Sequence, residues 1–380
     1  MTDTAIHRFK SLDSLRGLAC LIVVLHHLGL SVPETFRTRF VEDLADLFSA
    51  GARFAVLLFF VLSGFVLALP YYAGKNDAYV PYLVRRFFRL YPPFALAIFV
   101  ASLLLGLSNK PSSPLLSGWL AEFWTVPLTP GLIASHMLMT DVHQSATILD
   151  RPIWTLIVEM RIALIFPLLI LFVKRFGWPG VVASMVAAFL CSKIQAALGE
   201  PSVMVAESPA GSLFLTGRYV PFFLFGIITA ASLDQYGKIL NRVSRTCQGA
   251  IFICSVLLCV FLNLKRPGGD GYIDILYGLM AMYLIAVCAV VPAVSATLSA
   301  RTCVWLGNIS YSLYLIHLPV LLGIVILLLG HASLVVTMAV AVPSMLLIAH
   351  MMHYLIERPS MNLGRKLVAR MPVPWKNGRA

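Results

Sequence analysis

The stretch LDSLRGLACLIVVLHHLGL, residues 12–30, decides the fold. It is apolar over nearly its whole length, and its two full charges, Asp13 and Arg16, lie at one end. A run of about 20 such residues has the length that crosses a hydrocarbon core as a helix. Arg16 and His27 stand eleven positions apart. At about 100° and 1.5 Å per residue, that spacing returns to within roughly 20° of the same helix face while climbing about 16 Å. A cation near a membrane surface therefore looks up one face toward an imidazole deep in the apolar region, and both are expected to line a shared aqueous shaft. Ionisable groups at that depth are costly unless they face protein or water, and are read as functional. The alternative is a snorkelling arginine and a packed histidine.

Similar runs recur outward from this one, separated by short polar or Pro/Gly-marked connections. Ten are expected, over about residues 12–31, 53–72, 88–107, 152–173, 178–198, 212–233, 249–264, 273–294, 304–329 and 334–356. The 380 residues are 59% hydrophobic and only 12% charged, with a mean hydropathy of +0.86. That balance excludes a soluble globular protein of this size. A backbone in lipid must satisfy its own hydrogen bonds, so runs this long and non-alternating predict an all-α, polytopic transmembrane helix bundle.

Lysines and arginines gather on one side of that bundle, among them Arg8, Lys10, Arg85, Arg86, Lys174, Arg175, Lys238, Arg242 and Arg301. Acids such as Glu34, Glu42, Asp43, Glu122 and Asp141 fall on the other. By the positive-inside rule both termini are expected in the cytoplasm. The net charge of +12 is then topology, and nucleic acid is not an expected partner. The first apolar run has no small-residue cleavage pattern, so no separate signal peptide is expected. Seven cysteines lie in or beside spans without CxxC spacing. They read as small buried hydrophobes, with neither a disulfide framework nor a metal site.

One membrane domain is expected over residues 1–360, followed by a basic cytoplasmic tail, 361–380, lying along the anionic leaflet. The connection 108–151 is too long for a simple loop and should hold short surface helices near Gly118–Val126 and Leu132–Met139. No internal repeat is evident, which argues mildly against a transporter.

Further polar groups stand out against the apolar background. Arg86 and Arg89, in VRRFFRLYPP, share a helix face; they suit bidentate phosphate binding, or serve as positive-inside anchors. Glu159 and Arg161 lie inside IWTLIVEMRIALIFPLL and point roughly 200° apart, so each needs a partner from another span. For Glu159 the candidates are His27 and Arg16; a structural salt bridge is the alternative. Arg218, in LFLTGRYVPFFLFG, and His317, beside Ser310, Tyr311, Ser312 and Tyr314, are candidates for substrate binding together with Arg161. Arg218 is also placed to snorkel, and the His317 stripe either lines a cavity or hydrogen-bonds between helices. His350 and His353 share a face near the inner end of the last span and need no special role. No GxSxG elbow, HExxH pair or Walker loop is present.

Taken together, LDSLRGLACLIVVLHH (12–27), FFVLSGFVL (59–67), VRRFFRLYPP (84–93), RPIWTLIVEMRIALIFP (151–167), GRYVPFFLFG (217–226), LGNISYSLYLIHLPV (306–320) and YLIERP (354–359) resemble acyltransferase family 3, in order along nearly the whole chain. These are polytopic membrane O-acyltransferases acting on cell-surface glycans. The resemblance implies that Arg16 and His27 are the essential arginine–histidine pair, that Arg86 and Arg89 are the RxxR element, and that Glu159 is the acid after the tryptophan-containing stretch. Ile157 stands where the family's SVE has a polar residue, and Ile162–Ala163 replaces the common FY.

The function so implied is O-acetylation of a polysaccharide, lipopolysaccharide or other glycan hydroxyl, with acyl-CoA, most simply acetyl-CoA, as co-substrate. Arg16, Arg86 and Arg89 would hold the coenzyme's phosphates. His27 would act as general base, with Glu159 orienting or charge-balancing it. The competing class is a proton-coupled secondary transporter of a glycan precursor or small molecule, with Arg16, His27, Glu159 and Arg161 as a relay.

Overall fold

The computed structural model describes residues 9–74, 78–108, 117–140, 148–200, 204, 206–265, 271–328 and 331–371. In chain order its helices are α1 (Lys10–Ser31), α2 (Arg39–Tyr72), α3 (Tyr79–Leu107), α4 (Gly118–Ala121) and α5 (Pro130–Met137). Next come α6 (Ile153–Ala197), α7 (Pro209–Ala231), α8 (Leu233–Leu240), α9 (Arg245–Lys265) and α10 (Gly271–Val290). The chain continues through α11 (Pro292–Leu298), α12 (Arg301–Leu328), α13 (Leu334–Met352), a π-helical turn (His353–Glu357) and α14 (Arg358–Ala369). No strand occurs among the described residues.

Eight described helices are long and apolar enough to cross a membrane. Two of the ten expected spans, 152–173 and 178–198, run together as the 45-residue α6, which is broken at Gly177 (φ 54°, ψ −137°). Glycine adopts that conformation without a Cβ clash, so the break between the two spans falls there. The span expected over 249–264 lies in α9, whose apolar stretch Arg245–Leu258 is shorter. Large apolar side chains such as Leu168, Leu171, Val186, Phe189, Val335 and Leu347 point outward, as lipid-facing positions do.

Lipid tails are as apolar as leucine, so packing and interhelical hydrogen bonds hold such a bundle together. Two close approaches set its frame. A Cβ on Gly307 of α12 would sit 2.2 Å from the Asp13 carbonyl oxygen of α1, and one on Gly226 of α7 would meet the Val61 carbonyl of α2 at 2.0 Å. Small residues therefore let the backbones of α1 and α12, and of α2 and α7, touch. Between α2, α6 and α7 the rings of Phe60, Trp154, Tyr219 and Phe223 interlock, with centroids 5.2–5.4 Å apart for Phe60–Tyr219, Trp154–Tyr219 and Phe60–Phe223.

At the end of the bundle where α1 begins, the last described segment packs against the other helices. Pro359 has no N–H and its ring would clash with the carbonyl one turn back, which widens the preceding turn to the π form. α14 then packs on α3, with Ser360 Oγ donating to the Phe88 carbonyl at 2.7 Å. The first part of the basic segment 361–380 is therefore helical and joined to the bundle. At the opposite end the connection 108–151 contributes α4 and α5, capped by Ser117 and Thr129. These short helices are more than surface decoration, because Tyr91 of α3 donates to the Met137 carbonyl at 3.1 Å and His136 is buried.

Candidate functional site

A cavity of about 840 Å³ opens at the end where α1 begins, among α1, α2, α3, α6, α12, the π turn and α14. Six arginines line it, Arg16, Arg85, Arg86, Arg89, Arg358 and Arg365, against three carboxylates, Asp13, Glu159 and Glu357. The surplus of positive charge suits a polyanion. Arg16 is aimed by the α1–α12 seam: Nε donates to Ser310 Oγ and Nη2 to the Gly307 carbonyl, both at 2.9 Å, with Asp13 at 3.6 Å. Those contacts leave Nη1 unengaged. Arg89 forms no hydrogen bond among the described residues and presents its guanidinium to the same space.

Glu159 does not meet either partner expected for it. It pairs with Arg86 of α3 and accepts from Ser63 Oγ of α2 at 2.8 Å, while Arg86 Nη2 also donates to Ser63 Oγ at 3.0 Å. The reason is its depth on α6. One turn earlier, Thr155 Oγ1 already meets the Tyr314 hydroxyl at 3.0 Å, and the histidines lie beyond that contact.

His27 of α1 meets His317 of α12 edge to edge, with Nδ1 to Nε2 at 2.7 Å, ring centroids 5.0 Å apart and ring planes within 8°. The Trp119 ring of α4 also packs on His27, with centroids 5.3 Å apart and planes 19° from parallel. His317 is fully buried, and its Nδ1 lies 2.8 Å from the Tyr314 carbonyl. Neither histidine lines the cavity, whereas Ser310, Tyr311 and Tyr314 of the polar stripe do. The expected open shaft from Arg16 to His27 is therefore interrupted. What interrupts it is polar and aromatic: Tyr314, hydrogen-bonded to Thr155 and edge-on to Phe59 at 5.6 Å, with its ring 6.1 Å from that of His317.

Arg161 and Arg218 also lie outside the cavity lining. Arg161 ties α6 to α7 and to the long connection, through Ser212, Thr216 Oγ1 at 3.2 Å and the Thr140 carbonyl at 3.2 Å. Arg218 belongs to a cluster that sequence reasoning missed. Arg53 forks onto Asp274, with nitrogen–oxygen distances of 2.9 and 2.5 Å, and Arg218 stands 3.8 Å from the same carboxylate. The signal was present, since Arg53 and Asp274 are opposite charges in two apolar runs.

A second missed group is Glu357 in YLIERP. The π turn directs it inward, where one oxygen accepts from Ser312 Oγ at 2.7 Å and meets His353 Nδ1 at 2.9 Å. His353 thus lines the cavity and has a defined partner, beyond the plain interfacial place expected for it.

At the opposite end, His136 and Asp150 are among the buried titratable groups. Burial pushes the His136 imidazole below its usual range, although Nδ1 sits 2.8 Å from the Leu132 carbonyl. Asp150, just before α6, is fully buried with neither carboxylate oxygen hydrogen-bonded among the described residues. Burial holds its carboxyl well above the usual carboxylate range. No group of three His, Cys, Asp or Glu side chains suited to a metal occurs among the described residues.

A family model described as an acyltransferase domain (Acyl_transf_3) matches residues 9–353. "Acyltransferase MdmB" of Streptomyces mycarofaciens is 26% identical over 97% of this chain and 96% of its own length. "Putative peptidoglycan O-acetyltransferase YrhL" of Bacillus subtilis (strain 168) is 24% identical over 84% of this chain, which spans about half (49%) of that relative. "Protein 2 in picA locus" of Rhizobium radiobacter is 31% identical over 44% of this chain and 84% of its own. No solved structure matches.

Proposed function

The chain belongs to acyltransferase family 3, and we propose that it moves an acyl group, most simply acetyl, from cytoplasmic acyl-CoA to a hydroxyl of a cell-surface polysaccharide, lipopolysaccharide or related glycan. The reading rests above all on one observation: an arginine-rich cavity whose inner wall, at Tyr314, backs onto the His27–His317 pair. By the positive-inside rule the end rich in arginine faces the cytoplasm of an inner membrane, where acyl-CoA is available.

Arg89 and the unengaged nitrogen of Arg16 are the phosphate ligands, each charge-assisted hydrogen bond contributing about 1.5–3 kcal/mol. Arg86 contributes less, because Glu159 already neutralises it. With the phosphates held there, the slender acyl-bearing arm points toward Thr155 and Tyr314. Parting that hydroxyl pair costs on the order of 0.5–1.5 kcal/mol, little beside a catalysed barrier.

His27 then takes the proton of the acceptor hydroxyl as its oxygen attacks the thioester carbonyl carbon. The carbon–sulfur bond breaks, the coenzyme leaves as thiolate, and the imidazolium returns the proton to sulfur. General-base help of this kind contributes about 10²–10⁴-fold. The acceptor approaches from the end covered by Trp119.

Inverted membrane vesicles containing the full chain, given radiolabelled acetyl-CoA, test the reading. Label should pass to envelope glycan with the native chain and not with His27→Ala; glycan that stays unlabelled with the native chain overturns it.

A further inference from the structure

We propose that His317 is a positioning residue for acyl transfer, holding His27 in the tautomer whose Nε2 accepts the proton. The role rests on the acyltransferase reading; the tautomer itself does not.

The hydrogen-bond chain has only one consistent direction. His317 Nδ1 lies 2.8 Å from the Tyr314 carbonyl and 3.2 Å from that of Leu313. Carbonyl oxygens only accept, so Nδ1 carries the hydrogen. A neutral imidazole with its hydrogen there has a lone pair on Nε2. That nitrogen is 2.7 Å from His27 Nδ1, which must then be the donor. His27 is left with its own lone pair on Nε2. The opposite polarity would need an imidazolium at His317, fully buried and without a carboxylate hydrogen-bonded to it among the described residues. An unpaired buried cation is far costlier than the neutral chain.

The seam between α1 and α12 holds this geometry. The two backbones touch at Gly17 and Gly307, Arg16 reaches across to Ser310, and Cys20 Sγ donates to the Ser310 carbonyl at 3.2 Å. The histidines face each other further along the same seam. A third group that orients a base by accepting its second N–H is the logic of a catalytic triad, here with an imidazole in place of a carboxylate. A neutral acceptor orients the ring without adding a negative charge to an apolar interior. Direct substrate binding by His317 does not fit, since the side chain is wholly buried and outside the cavity lining.

The test combines kinetics with a direct readout on the full chain in lipid nanodiscs. In His317→Ala, kcat for acyl transfer should fall about 100-fold or more while KM for acyl-CoA stays within about threefold. His317→Gln, whose amide oxygen can accept from His27 Nδ1–H, should recover at least about tenfold of the alanine loss. Nitrogen-15 NMR of histidine-labelled native chain should show His27 protonated at Nδ1 and bare at Nε2. A His27 protonated at Nε2 overturns the proposal, whether or not acyl transfer is seen. So does a folded alanine variant with kcat within threefold of native, a KM that rises in step with the loss of kcat, or a folded Gln variant no better than Ala. Should native chain show no transfer while NMR gives the stated tautomer, the acyltransferase reading fails and the hydrogen-bond assignment stands.

Discussion

Arg86 and Glu159 are ion-paired inside the cavity, with Ser63 hydrogen-bonded to both. The pair spans α3 and α6, and its effect is to spend Glu159 on holding an arginine rather than on supporting His27. Removing one partner of a fully buried pair costs about 3–5 kcal/mol. Glu159 is 24% exposed in its side chain, so solvent screening brings the expected cost nearer 1–3 kcal/mol. Thermal unfolding in detergent of Arg86→Met, Glu159→Gln and the double variant should give a coupling of about 1 kcal/mol or more; additive losses would mean the two residues act independently.

Gly307 sets how closely α1 and α12 meet. Any Cβ there lies 2.2 Å from a backbone oxygen that cannot rotate away, so Gly307→Ala must spread the seam that aligns His27 with His317. We expect folded yield to drop and, in the surviving protein, kcat to fall at least about tenfold. Native kcat in Gly307→Ala would show that the seam's spacing is irrelevant to chemistry.

Tyr314 is the wall between cavity and histidines, so its bulk and its hydroxyl can be separated. Tyr314→Phe keeps the ring and loses the bonds to Thr155 and to the Pro152 carbonyl, and should leave kcat within about tenfold of native, since only the hydroxyl's hydrogen bonds are at stake. Tyr314→Trp thickens the wall and should block transfer while coenzyme A still binds. Equal turnover in the Trp variant would show that the acyl group reaches His27 by another route.

Asp150 carries a pH signature. Its folded carboxyl is held above its unfolded value by burial, so stability is greatest when it is protonated and declines as pH rises from the unfolded pKa, about 4, toward the folded one. Asp150→Asn should therefore match native melting temperature near pH 4 and exceed it increasingly at higher pH. Melting curves that stay parallel across pH would remove this carboxyl from the account.

Much of this was legible in the sequence because membranes make polar residues conspicuous. The Arg16–His27 helix face, the spans and the ordered family motifs were all read from local pattern. The His317 stripe was readable only as a choice between cavity lining and interhelical bonding, and the structure divides it: Ser310, Tyr311 and Tyr314 do both, whereas His317 lies off the cavity and pairs with His27. Partner identity was not legible. Glu159 meets residues 73 and 96 positions away, and which of several buried cations it finds depends on helix depth and rotation, which periodicity does not encode. The π turn that brings in Glu357 depends on Pro359 in a helix that otherwise reads as continuous. Trp119 was hidden because a short helix on a long connection has no periodic signal tying it to the core.

The separation of donor binding from chemistry is tested most directly by equilibrium binding of coenzyme A to the full chain in lipid nanodiscs. Arg89→Ala should weaken binding about tenfold or more, as the loss of one charge-assisted hydrogen bond implies, while His27→Ala should bind within about twofold of native and yet turn nothing over. Coenzyme A that binds His27→Ala as poorly as Arg89→Ala, or binds Arg89→Ala as tightly as native, would contradict the division between an arginine-lined donor cavity and a histidine pair beyond it.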